Sequence, residues 1–238
     1  MAHDTAITAQ YIVLPLPPVK MNYAAIGQGA TPEQAFVYEK QEPLRILVMR
    51  KDDISQRRIF EPPAQMVFHV GNAYERRDGN IALTFVGADN DEFLVHDAVA
   101  LVAGHALGES GSTQQSAVLD MKSGRATVEA LPGIVEFPRM DPRRIGAPAR
   151  FLVAASNWKR TPGRDGALFH GVQVRDLKSG NVDRFDYGAD AVVEEHIVVP
   201  KPRGSDERDA WRVGDGPIAQ PGLPYWLPLG FHGNFTAA

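Results

Sequence analysis

The chain has 238 residues, 44% apolar and 23% charged, with a formal net charge of −4 and no cysteine. This is the make-up of an ordinary globular chain, long enough for one large domain or two small ones. The charge argues against a nucleic-acid surface. The lack of cysteine excludes disulfides, zinc–thiolate sites and a cysteine nucleophile, so any metal has to be held by histidine and carboxylate.

The opening "MAHDTAITAQ" has neither a basic n-region nor an apolar h-region, which leads us to expect a cytoplasmic protein. No apolar run approaches the roughly 20 residues of a membrane helix, while peripheral membrane contact stays open. Short segments rich in Val, Ile, Phe and Tyr then follow one another. They are "QYIVLPLP", "AFVYEK", "LRILVMRK", "AQMVFHVGNAYE", "NIALTFVG", "ARFLVAAS", "GVQVRDL" and "AVVEEHIVVP". Each reads as a strand, with turn signals at "RKDD", "ERRDGN", "DLKSGN" and "KPRGSDE" between them. "DLKSGNVDRF" reads as a hairpin turning over Asp176–Asn181. "EFLVHDAVALVAGHAL" is the best helix, with Phe93, Leu94, Asp97, Ala98 and Leu101 at loose 3.6-residue spacing. "GESGSTQQS", Gly108 to Ser116, reads as an exposed loop. Nothing marks a linker, so residues 1–238 are taken as one all-β domain: a sandwich, barrel or propeller. Strand-like sequence starts and stops abruptly, which predicts unpaired sheet edges and self-association.

Seven histidines punctuate the chain, at positions 3, 69, 96, 105, 170, 196 and 232, and no two stand at HxxxH-type spacing. A metal site would have to gather ligands from distant strands, as propellers and barrels do. His96, His105 and His170 read as ordinary hydrogen-bonded residues. His69 follows the apolar run Met66–Phe68, where an imidazole left without a partner would cost about 1–3 kcal/mol. His232 sits in "LGFHGNF", where glycine lets the backbone pass close to another group.

Five stretches occur in order: "HDTAIT" leading into "QYIVLPLP", "FHVGNAYE", "VEFPRMDPRRIG" leading into "PARFLV", "VEEHIVVPKP" and "LPLGFHGNF". Together they resemble the carotenoid cleavage oxygenase family, which includes lignostilbene and apocarotenoid dioxygenases, from Ala2 to Phe235. The resemblance implies a seven-bladed β-propeller with one Fe(2+) on its axis, held by four histidines. Three glutamates there accept hydrogen bonds from three of the imidazoles. Carried over by motif, His3, His69 and His232 match iron ligands, and Glu136 and Glu195 match outer glutamates, with Glu194 an alternative to Glu195. Asn72 is read as a turn former, Tyr74 as a core residue with a tethered hydroxyl and Glu75 as structural. Phe137 and Phe231 are candidates to line an apolar pocket, with core packing the other role.

The sequence also departs from the family. Members are about twice this length, which implies that the first blades, the first ligand histidine and the glutamate for His3 precede Ala2. Either the start lies at an internal methionine or the gene is decayed, or another chain supplies that part. In "SDERDAWRVGDGP" Ala210 stands for a glycine, the strand after Trp211 is missing, and Thr5 stands where an aromatic residue is usual. The implied function is an iron-dependent dioxygenase. It would cleave a C=C bond of a carotenoid, apocarotenoid or stilbene-like substrate with O2 to give two carbonyl products. The alternatives are an inactive propeller fragment without metal, and a β-barrel or sandwich that binds an apolar small molecule.

Overall fold

The computed structural model describes residues 2–91, 97–103, 105, 111–157, 168–188 and 190–201, and singly 204, 206, 207, 222, 224, 230, 232 and 233. Strand follows strand through most of the described residues, and along several of them buried and less buried residues alternate. In β5 (Arg45–Arg50), Ile46 and Val48 are buried while their neighbours are not. Its partners are β2 (Tyr11–Leu16) and β6 (Arg57–Phe60), and β1 (Ala6–Ile7) closes a four-stranded sheet of order β1-β2-β5-β6. A small ribbon of β3 (Val19–Met21) and β4 (Phe36–Tyr38) interrupts it, with the short helix α1 (Tyr23–Gly27) between them.

The rest is a seven-stranded antiparallel meander: β7 (Met66–Glu75), β8 (Ile81–Ala88), β9 (Thr113–Leu119), β10 (Ala126–Arg139), β11 (Phe151–Asn157), β12 (Gly171–Asp176) and β13 (Val182–Asp186). The 14-residue β10 belongs to two units. Ala126–Ala130 pairs with β9 and Ile134–Arg139 pairs with β11. Between these halves Pro132 has no N–H to give a ladder, and Gly133 takes φ +111°, a conformation that side chains resist. The outer strand of one sheet thus becomes the inner strand of the next. β1 packs on β7 and β7 on β10, so three four-stranded blades present neighbouring inner strands. This is part of a β-propeller, as the sequence led us to expect.

Apolar residues lie between the blades. Val13, Leu44, Ile46, Val48 and Phe60 of the first pack with Val67, Ile81, Leu83, Phe85, Ala117 and Leu119 of the second. Val86, Val135 and Ala154 form a smaller cluster at the next junction.

Several expectations need correction. Residues 191–200 form no strand. Only Val193 makes a bridge, to Phe169, because polar groups in this segment bond elsewhere. Thr113–Ser116 is strand rather than loop, and Gln114 and Gln115 are buried despite their polarity. The helix is shorter than expected, α2 spanning Ala98–Ala103, and Phe93, Leu94 and His96 lie outside the described residues. Strand β10 was not anticipated, since Pro132, Gly133 and Pro138 disguise it. Asn72 is not in a turn but in β7. Its amide donates to the carbonyls of Arg144 and Ala147 and accepts from Gly146 N, so it orders the turn of residues 144–147 from a distance. Tyr74 is half-buried rather than a core residue. The hairpin over Asp176–Asn181 is as expected, with Arg175 opposite Val182.

Candidate metal centre

The inner strands bring the site together. β7 carries His69 inside the first of two adjacent bulges, Val67–Val70, with the second at Val70–Asn72. A bulge inserts a residue and re-aims the side chains around it. β10 carries Glu136 next to a third bulge, where Glu136–Arg139 spans Ala155–Val153. Phe137, inside that bulge, takes φ +54°, a left-handed conformation that costs a bulky residue about 1–3 kcal/mol. Glu136 Oε2 accepts from the Phe137 N–H, which offsets part of that cost.

Across the two strands His69 Nδ1 and Glu136 Oε2 stand 2.6 Å apart. Both side chains are largely shielded, 15% and 14% exposed. With Nδ1 engaged, His69 turns Nε2 the other way, and that nitrogen is buried with no hydrogen-bond partner among the described residues. An orphaned buried imidazole nitrogen is costly unless something outside the chain takes its lone pair.

His3 precedes β1 and is fixed by its neighbour. Asp4 Oδ2 accepts from Val70 N at 2.8 Å and Oδ1 from Thr5 N at 2.7 Å, which docks the segment on β7 beside His69. His232 arrives from the far end of the chain. Its Nδ1 lies 3.3 Å from Glu195 Oε1, and Arg139 Nε donates to the same oxygen at 2.5 Å. Glu194 instead accepts from Gly230 N, so of the two candidate glutamates it is Glu195 that meets His232.

The three imidazoles each offer one nitrogen, and these atoms lie within 4.8 Å of one another. The rings meet edge to face, His3–His69 at 5.2 Å and His69–His232 at 5.0 Å between centroids. Phe68 packs on His3, and Phe137 on both His69 and His232. Phe137 therefore forms an apolar wall, whereas Phe231 lies outside the described residues. The cavity in front, about 240 Å³, is lined by His3, Asp4, His69, Val70, Pro138, Arg139, Glu195 and His232.

Electrostatics separate the groups. Burial alone would lower the His69 pKa, but the hydrogen bond and charge of Glu136, with Asp4 and Glu195 behind it, turn the net shift upward. His3 is lowered, first by burial and then by the like charge of His69, against the pull of Asp4. Burial pushes the Glu195 carboxyl up, yet the Arg139 hydrogen bond and charge outweigh it and hold Glu195 below its ordinary value.

The donor set fits a divalent transition ion. Neutral imidazoles suit such ions, and a carboxylate on the far nitrogen fixes tautomer and ring orientation. Two of the three rings have that carboxylate; among the described residues His3 does not. The other described histidines take no part, and His96 lies outside the described residues. His170 Nδ1 bonds Ala191 O, His196 bonds Glu194 O and Tyr187, and His105 is exposed. Asp4 and Arg139 were missed in the sequence. Their only signals were the adjacency in "HDTAIT" and the spacing in "VEFPR".

Comparison with known proteins follows the same lines. The family model described as Retinal pigment epithelial membrane protein matches residues 1–214. A chloroplastic 9-cis-epoxycarotenoid dioxygenase of Arabidopsis thaliana is 22% identical over 267 residues, covering 100% of this chain and 43% of that protein. A carotenoid 9,10(9',10')-cleavage dioxygenase of Pisum sativum is 25% identical, covering 99% of this chain and 49% of its own length. Among solved structures, the cobalt-substituted apocarotenoid oxygenase of Synechocystis superposes with a TM-score of 0.73 at 21% identity, over 89% of this chain and 43% of that one. The chain thus spans about half the length of the curated relatives it matches. Matched over most of its residues and carrying the fold of those neighbours, the chain belongs to the retinal pigment epithelial membrane protein family of carotenoid cleavage oxygenases.

Proposed function

We propose that this chain contributes His3, His69 and His232 to an iron(II) centre of a dioxygenase that cleaves a C=C bond with O2. The substrate class is a carotenoid, an apocarotenoid or a stilbene-like aryl alkene. The observation that carries the reading is the orphaned Nε2 of His69, aimed into a cluster of three imidazole nitrogens within 4.8 Å. The names of the relatives, carotenoid dioxygenases and oxygenases, support the carotenoid part of that class.

Bound iron would supply the activation of O2 that lets one alkene and one O2 become two carbonyl groups. The chain's own residues do the holding. Glu136 sets the His69 ring and Glu195 the His232 ring, so that each offers its far nitrogen with a lone pair. Asp4 pins the His3 segment. Phe68 and Phe137 keep water from one side of the cluster. No side chain is called on as a general acid or base.

A second reading is a propeller piece that holds no metal. It draws on the chain's half-length coverage and on the lack, among the described residues, of a carboxylate bonded to His3. Loading the full chain with Fe(II) under anaerobic conditions separates the two. The dioxygenase reading expects one iron per chain, lost in His69→Ala, and O2-dependent aldehyde formation from an apocarotenal or a hydroxylated stilbene. Iron-free protein after loading favours the fragment. Iron with no cleavage of either substrate rejects the activity but keeps the centre.

A further inference from the structure

The two outer carboxylates are held in different ways. Glu136 projects from the β10 ladder. Glu195 lies in residues 191–200, which have no ladder of their own beyond the Phe169–Val193 bridge. Yet Glu195 is the more deeply buried carboxylate, its side chain 3% exposed, beside a His232 ring that is 48% exposed. Something other than its own backbone must fix it.

Arg139 is placed to do so. In a regular strand, residues 136 and 139 would point to opposite faces, because side chains alternate with period two. The bulge sets three residues of β10 against two of β11, so the parity is reset. Glu136 reaches His69, and three residues on Arg139 reaches Glu195, both into the same cluster. The guanidinium Nε donates at 2.5 Å to the one Glu195 oxygen that also faces His232 Nδ1 at 3.3 Å. The other oxygen, Oε2, is buried and has no hydrogen-bond partner among the described residues. Among the described residues no other side chain anchors that carboxylate than Arg139 and His232, so its rotation about the Cγ–Cδ bond is set by Arg139.

We infer that Arg139 is a positioning residue, which turns Glu195 toward His232 and so makes β10 the common carrier of both carboxylate–imidazole pairs. It acts through Glu195 and touches no ligand itself. The inference rests on the proposed metal centre for its consequence, but its geometry is independent of any ion.

The test has two arms on the 238-residue chain. In the metal-free protein, long-range proton–nitrogen NMR of the imidazoles reads the tautomer of His232. Wild type should hold the Nδ1–H form, and Arg139→Met should shift toward a mixture of tautomers while His69 stays unchanged. An unchanged His232 in Arg139→Met overturns the inference. The second arm titrates Co(II) followed by its visible absorption. Loss of an outer partner typically weakens metal binding about 10–100-fold, and Arg139→Met should fall at the lower end of that range, no larger than the loss in Glu195→Gln. Arg139→Lys should recover most of the loss, because it returns a cationic donor. In a Glu195→Gln background Arg139→Met should cost less than about two-fold, since the residue it acts through is already changed. Equal costs in both backgrounds would make the role merely structural and overturn the proposal. Should wild type bind no Co(II), the metal reading fails, and the NMR arm still decides Arg139.

Discussion

The His69–Glu136 pair and the His232–Glu195 pair have the same chemistry on different supports. The first spans two inner strands, β7 and β10, and is short, 2.6 Å, and shielded on both sides. The second joins Glu195, in a stretch without a strand, to His232, is 3.3 Å long, shares its carboxylate oxygen with Arg139, and leaves the imidazole half open. Propeller blades fix what lies on their inner strands. What lies beyond them has to be tied down by side chains.

Removing the frame under the first pair should have the largest effect. Phe85, wholly buried in the inter-blade core beside Leu83, should cost about 3–5 kcal/mol as Phe85→Ala, read as a fall in urea unfolding midpoint. A loss well under 1 kcal/mol would mean that the blades do not share this core. Glu136→Gln should weaken Co(II) binding near the upper end of the about 10–100-fold range, because it disables the buried, short pair. Glu195→Gln should weaken it less, by about tenfold, because His232 is exposed and water can replace the partner. The reverse order would reject the contrast between the supports.

Asn72 sharpens the same point from outside the centre. It staples the turn after β10 to β7, and Asn72→Ala leaves Gly146 N and Ala147 O without that partner. A cost of about 1–3 kcal/mol in chemical unfolding is expected.

The smallest effect concerns a second tie, from the turn after β10 to Gly204 and Asp206. Asp141 is held below the usual carboxylate range by the Arg143 hydrogen bond, against burial, and Arg143 donates on to the carbonyls of Gly204 and Asp206. A lowered folded-state pKa adds stability above the ordinary carboxylate value and loses it as pH falls through the lowered one. Asp141→Asn should therefore be less stable than wild type at neutral pH, with the gap closing in acid. A gap independent of pH would show that the charge plays no part.

The contrast also explains what could be read in the sequence. The inner strand bearing His69 was visible, since "AQMVFHVGNAYE" is apolar on both sides of the imidazole. His3, His69, His232, Glu136 and Glu195 were named because five ordered motifs resemble a family, not because spacing revealed them. β10 was hidden by Pro132, Gly133 and Pro138, the residues that let it bend between blades and bulge at the site. Residues 191–200 misled in the opposite direction. Their Val and Ile suggest a strand, but Glu194, Glu195 and His196 spend their hydrogen bonds on Gly230, Arg139, His232 and one another. Gln114 and Gln115 looked like loop residues by polarity, yet both are buried in β9, Gln115 on the face of Ala117 and Leu119 and Gln114 on the opposite one. Arg139 carries no signal of its own, because its partner is 56 residues away.

The most direct test of the shared centre is X-ray absorption at the iron edge on the anaerobically loaded full chain, wild type beside His69→Ala. The account predicts one iron per wild-type chain with a first shell of imidazole nitrogens, and no such species in His69→Ala. Iron absent from wild type, or bound with the same spectrum after the substitution, would contradict it.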